Sequence, residues 1–156
     1  MKTNLTIRPA TVEDRDFMIG LIPRFVELSC PPGREPAQVI DAIAQELNQV
    51  ASTPKDSIIL IAEDLDGRRL GFIYLQTATD PFTHERHGHI ADIAVTSVDE
   101  ERGVGQALME VAEDWARKRG YRLLTLRAIA GNTRVRSFYQ RFGYEEDMVK
   151  YIKILN

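Results

Sequence analysis

The chain has 156 residues, of which 44% are hydrophobic and 28% charged, with a mean hydropathy of -0.25. That size suits one hydrophobic core, so a single domain over residues 1–156 is expected, and the composition excludes collagen-like, disordered and disulfide-framework classes. A net charge of -3 lacks the basic field that accompanies nucleic-acid binding, and apolar runs such as Ile58 to Ala62 fall far short of the ~20 residues needed to cross a bilayer. Neither nucleic acid nor membrane is therefore expected as a partner. The first nine residues show no secretory pattern and Cys30 is the single cysteine, which together point to the cytoplasm.

Leu5 to Arg8 reads as a first strand ending at Pro9. Thr11 with Asp14 three residues later resembles a capping box, and Phe17, Met18, Leu21, Ile22, Phe25 and Leu28 recur at helical spacing, with Pro23 a point of kinking. From Pro36, the positions Val39, Ile40, Ile43, Ala44, Leu47 and Val50 form a second stripe, closed by Ser52 to Pro54. Ile58 to Ala62 and Leu70 to Leu75 are β-rich runs around Asp66-Gly67, a hairpin signal. A loop over Thr79 to Gly88 leads to a largely buried strand, His89 to Val95. Gly103 to Arg119 is an amphipathic helix with Gly120 as its stop, Arg122 to Ile129 a strand, Asn132 to Phe142 a short helix and Met148 to Leu155 a final strand. The order predicts an α/β fold with a mixed, mainly antiparallel sheet flanked by helices.

From Val95 through Gly103-Val104-Gly105 the chain passes from a strand through a glycine-bearing turn into a helix. Backbone N–H groups at a helix N-terminus attract anions, and glycines allow close approach, although a tight strand-to-helix turn explains the same residues. No Gly-x-Ser-x-Gly elbow is present, and Cys30 has no His-Asp arrangement around it. His84, His87 and His89 cluster before and at the start of the buried strand, which leaves a metal site as one alternative, although a loop with Arg86 inside it is a poor cage.

Ala94-Val95, then Arg102-Gly103-Val104-Gly105-Gln106-Ala107-Leu108, then Asn132 through Phe138-Tyr139 to Gly143-Tyr144 resemble the GNAT superfamily of acetyl-CoA-dependent N-acetyltransferases over nearly the whole chain. That resemblance implies a GNAT-like fold with acetyl-CoA as co-substrate and an amine acceptor, and it admits a homodimer. Carried over by motif, it assigns Ile93, Ala94 and Val95 to the pantetheine arm. Arg102, Gly103, Val104, Gly105 and Gln106 go to the pyrophosphate turn, and Asn132 and Tyr139 to the arm and the thioester sulfur. Glu100 stands where the family pattern has Gln or Arg. Tyr139 would donate a proton to the departing thiolate, while the simpler reading makes Asn132 a helix cap and Tyr139 a core aromatic.

His89 occupies the position at which one branch of the family carries a glutamate base. Asp92 and Glu85 are rivals, Asp92 having opposite strand parity and so facing the other side of the sheet. By family analogy, Phe25 to Arg34 and Thr79 to Gly88 wall the acceptor side. The alternative function is a non-catalytic acyl-CoA-binding or regulatory module with the same fold.

Overall fold

The computed structural model describes residues 4–48, 55–96 and 103–156. Five strands lie in the order β1-β2-β3-β4-β5: β1 Leu5–Pro9, β2 Ile58–Asp64, β3 Arg69–Thr79, β4 Arg86–Val95 and β5 Leu124–Leu126. The first four pair antiparallel, and only β4 and β5 are parallel. The helices are α1 Arg15–Leu21, α2 Pro36–Leu47, α3 Val104–Lys118 and α4 Thr133–Arg141.

Alternation along the strands divides the core into two layers. Ile59, Ile61, Phe72 and Tyr74 pack with Met18, Leu21 and Leu47 under α1 and α2. Leu60, Ala62, Ile73 and Leu75 pack with Leu108, Met109 and Ala112 of α3 and Tyr139 of α4 on the opposite face. The buried Asp14 carboxylate ties the start of this arrangement together, accepting bonds from Arg8 of β1 at 2.8 and 2.9 Å, from Arg69 of β3 at 2.7 Å and from the Thr11 N–H. Two guanidinium groups and a backbone donor hold its pKa well below the usual carboxylate range.

Three local expectations need correction. The helix expected from Thr11 to Leu28 is broken into a 3-10 turn over Val12–Asp14, α1, and a second 3-10 turn over Ile22–Val26, because Pro23 has no N–H to continue the α-helical ladder. The loop expected over Thr79 to Gly88 is a tight turn instead. The Asp80 carboxylate accepts the N–H groups of Phe82 and Thr83, which lets β3 reach Thr79 and β4 begin at Arg86. The run from Met148 to Leu155 forms no strand: its apolar side chains are exposed, and β5 covers only three of the eight residues expected from Arg122 to Ile129. Val50 and Ser52 to Pro54, expected to close the second helix, lie outside the described residues.

Candidate functional site

β4 and β5 pair only through Gly88–Leu124, His89–Thr125 and Ile90–Leu126. Beyond Ile90 the two strands part, so among the described residues the edge of β4 from Ala91 to Val95 that faces away from β3 carries unpaired backbone groups. The N-terminus of α3 follows in the chain. Gly103 caps it with φ +79°, a left-handed conformation that favours glycine. The first internal bond of the helix is Ala107 N–H to Gly103 O, at 3.0 Å, which leaves the amides of Val104, Gly105 and Gln106 without acceptors in the helix. Gly105 is less constrained, since an added Cβ would meet Phe138 and Val95 at 3.8 and 3.9 Å. Arg102 and Glu100 lie outside the described residues.

The strand parity expected for Asp92 does not hold. The pairing runs Tyr74 to Asp92 but Leu75 to Ile90, so β4 carries an extra residue, Ala91, at the point where β5 departs. Ile90 and Ile93, three apart, both pack under α3, while Ala91 and Ala94 pack under α1 and α2. His89 pairs with Gln76 and Asp92 with Tyr74, on the α2 side of the sheet, so the bulge brings His89 and Asp92 to one face.

Asp92 is buried, and its Oδ2 has no hydrogen-bond partner among the described residues. Burial, followed by the charge and hydrogen bond of Glu46 on α2, pushes its pKa up to about 7, opposed by Arg127. Glu46 in turn accepts a bond from Gln76 Nε2 at 3.2 Å. His89 Nδ1 lies 2.8 Å from Thr125 Oγ1, and its pKa is lowered by burial first and then by Arg127 and His87. Glu85 is held by two bonds from Arg122, at 3.0 and 2.8 Å, in the turn before β4 and therefore at the end of the strand opposite the splay. Thr79 to Gly88 lies at that same end and leads directly into His89.

Tyr139 on α4 is buried against Phe138 and Tyr144, with ring centroids 5.6 and 6.1 Å away, and burial pushes its pKa to about 12. Its phenol is therefore protonated at neutral pH. Asn132 does cap α4, its side-chain oxygen accepting the Val135 N–H at 3.2 Å, which leaves the NH₂ group available. Among the described residues no three His, Cys, Asp or Glu side chains converge as a metal set, and no helix is long and apolar enough to cross a membrane.

Glu46, Gln76, Thr125 and Arg127 were not singled out in the sequence. Glu46 had a detectable signal, because it lies three residues after Ile43 and beside Leu47 on the apolar stripe of α2.

A five-stranded mixed sheet that opens between β4 and β5 beside a glycine-capped helix defines an acyltransferase-type fold. The model of the Acetyltransferase (GNAT) family matches residues 22–144, and the chain belongs to that family. It is similar to the N-acetyltransferase YhfO of Bacillus subtilis (strain 168), described as uncharacterized, with 35% identity over 92 residues; the match spans 59% of this chain and 61% of that protein. Among solved structures, a GCN5-related N-acetyltransferase from Ralstonia eutropha JMP134 superposes with a TM-score of 0.74 at 23% identity, covering 97% of this chain and 99% of that one. A ribosomal-protein-alanine N-acetyltransferase from Brucella melitensis biovar Abortus 2308 gives 0.69 at 22%, with the same coverage. Identities this low show the shared fold alone.

Proposed function

We propose that the chain moves the acetyl group of acetyl-CoA to a primary amine by direct attack. The observation that carries this reading is the unpaired edge of β4 running toward the open amides of α3, with Asp92 at the bulge where the edge begins. The site fits the co-substrate chemically. An extended edge offers backbone donors and acceptors to the amide-bearing pantetheine arm along Ile93, Ala94 and Val95, while Gly103, Val104, Gly105 and Gln106 present N–H groups to pyrophosphate, with Arg102 adding charge by family resemblance. The Asn132 NH₂ group is a further donor to the arm. When bound, acetyl-CoA supplies an activated thioester.

An acceptor amine arrives as an ammonium ion, which has no lone pair for attack. Asp92 takes that proton, because a carboxyl that titrates near neutrality is ionised often enough at pH 7–8 and basic enough to accept it. His89, held against Thr125 on the same face, helps to orient the acceptor. A backbone N–H on the β4 edge near Ala94 and Val95 stabilises developing oxyanion charge, and Tyr139 protonates the leaving sulfur. The new N–C bond replaces the C–S bond; the attacking nitrogen sheds its second proton as the amide forms, which restores the Tyr139 phenol by way of water, and Asp92 gives the first proton to solvent.

Calorimetric titration with acetyl-CoA, followed by thiol release measured over a panel of primary amines, tests the activity; binding without turnover on any amine would support the non-catalytic module. On an active amine, kcat/KM should rise with pH through about 7. This limb should survive in His89→Ala and disappear in Asp92→Asn. The reverse pattern would move the base to His89.

A further inference from the structure

We infer that Arg127 binds an acceptor carboxylate beside the Asp92–Glu46 carboxyl pair, so that the acceptor is a free amino acid. The inference rests on the proposed activity for the place of the amine, and adds the group that the acceptor must carry next to it.

The place of Arg127 follows from the ladder. Leu126 still pairs with Ile90 and Thr125 with His89, so Arg127 is the first residue on its side of the splay. Thr125 points to the α2 face, where its hydroxyl meets His89, and a residue two further on has the same parity. The charge of Arg127 acts on both Asp92 and His89, which sets the guanidinium on that face. Arg127 is exposed, and among the described residues it donates no hydrogen bond and forms no ion pair. Arg8, Arg69, Arg86 and Arg122, by contrast, are each held by a carboxylate.

Facing it, Asp92 is buried, with Oδ2 lacking a partner among the described residues, and its carboxyl is in hydrogen-bond contact with that of Glu46. Two carboxyls in contact share a proton, so the pair presents one negative charge and grips one cation. A polyamine does not fit this arrangement. Its second ammonium lies several bonds from the first and would meet Arg127 instead of another carboxylate. A plain amine leaves Arg127 with nothing to bind. An amino acid matches both ends: its ammonium donates to Oδ2, and its carboxylate, one carbon away, takes the planar fork of Arg127. One negative and one positive charge on the protein then face the same pair on the acceptor. A phosphate dianion would exceed the single guanidinium and be repelled by the carboxyl pair.

The test measures thiol release from acetyl-CoA on the standard L-amino acids, each against its own carboxamide, with diaminopropane as the dication. On the best acceptor, kcat/KM for the acid should exceed that for the amide by roughly 10–100-fold, the worth of a charge-assisted pair. Arg127→Gln should bring that ratio to within about threefold of unity, and Arg127→Lys, which keeps the charge without the fork, should restore part of it. The ratio cancels any effect of Arg127 on Asp92, because acid and amide meet the same base. Carboxamides or diamine turned over as well as the acids would overturn the inference and leave the proposed activity standing, as would a preference for the acid that survives Arg127→Gln. If no amine is turned over, the activity fails separately, and saturation-transfer spectra of the same compounds over the CoA-loaded protein decide. Acid-selective binding lost in Arg127→Gln then upholds the carboxylate site, and the lack of such binding overturns it.

Discussion

Replacing Asp92 by asparagine should abolish the base and, at the same time, stabilise the protein in a pH-dependent way. The carboxyl is buried beside Glu46 with one oxygen unpartnered among the described residues, and its pKa is pushed from 3.8 to about 7, chiefly by burial. A carboxyl raised in the folded state favours folding fully below its unfolded pKa and loses that contribution as pH climbs to the folded value. Wild type therefore loses stability from this group between about pH 4 and pH 7 and holds level above. The amide of Asp92→Asn cannot ionise, so the variant avoids the loss. Between pH 5 and pH 8 the group crosses about two of the three units separating its two pKa values, so the stability difference in favour of the variant should widen by roughly 2–3 kcal/mol at ~1.4 kcal/mol per unit. In a chain of this size that is a Tm gap growing by roughly 4–10 °C, read by paired thermal melts at pH 5, 6, 7 and 8. At pH 7–8, where wild-type Asp92 is ionised, kcat/KM of Asp92→Asn should lie below that of wild type by roughly 10²–10⁴-fold. A gap that stays constant across the pH series would show that Asp92 ionises without penalty, and the argument that makes it a neutral-pH base would fail.

Other expectations follow from the same geometry. Tyr139→Phe keeps the ring packed against Phe138 and Tyr144 but removes the proton donor, and should lower kcat by roughly 10²-fold with Tm nearly unchanged; full kcat on a proven acceptor would make Tyr139 a packing residue only. Gly103→Ala forces a side chain into φ +79° and should cost about 1 kcal/mol of stability and weaken acetyl-CoA, whereas Gly105→Ala, meeting only ordinary contacts, should be neutral or stabilising by up to about 1 kcal/mol; calorimetry and melts separate the two. Asp14→Asn deprives Arg69 of its carboxylate and leaves Arg8 with Glu63 alone, and should destabilise by about 3 kcal/mol at pH 7 in chemical denaturation. Because the Asp14 pKa is lowered on folding, that deficit should shrink as pH falls below about 4, where wild type loses the same contribution.

Long elements with one clean period were legible in the sequence. α3 differs from its expected range by one residue at each end, and the hairpin at Asp66-Gly67 forms with Gly67 at φ +83°. The glycine turn into α3 and the Phe138-Tyr139 pair on α4 were found because each combines a local pattern with a family motif. The Asp92 environment was not legible. Strand parity assumes an unbroken ladder, and nothing in His89 to Val95 marks Ala91 as the extra residue. Glu46 reaches Asp92 only through the packing of α2 on the sheet, a contact of long sequence separation that periodicity cannot encode.

The bulge at Ala91 also bears on how this fold would be redesigned. It divides β4 into two stretches of opposite phase, with His87 and His89 facing the α2 side before it and Asp92 and Ala94 after it. A mutagenesis library meant to reshape the proposed acceptor side of β4 must therefore sample odd-numbered positions up to 89 and even-numbered ones from 92 onward. One that follows a single parity along the whole strand would spend half its diversity on Ile90 or Ile93, beneath α3, where substitutions unsettle the core and leave specificity untouched.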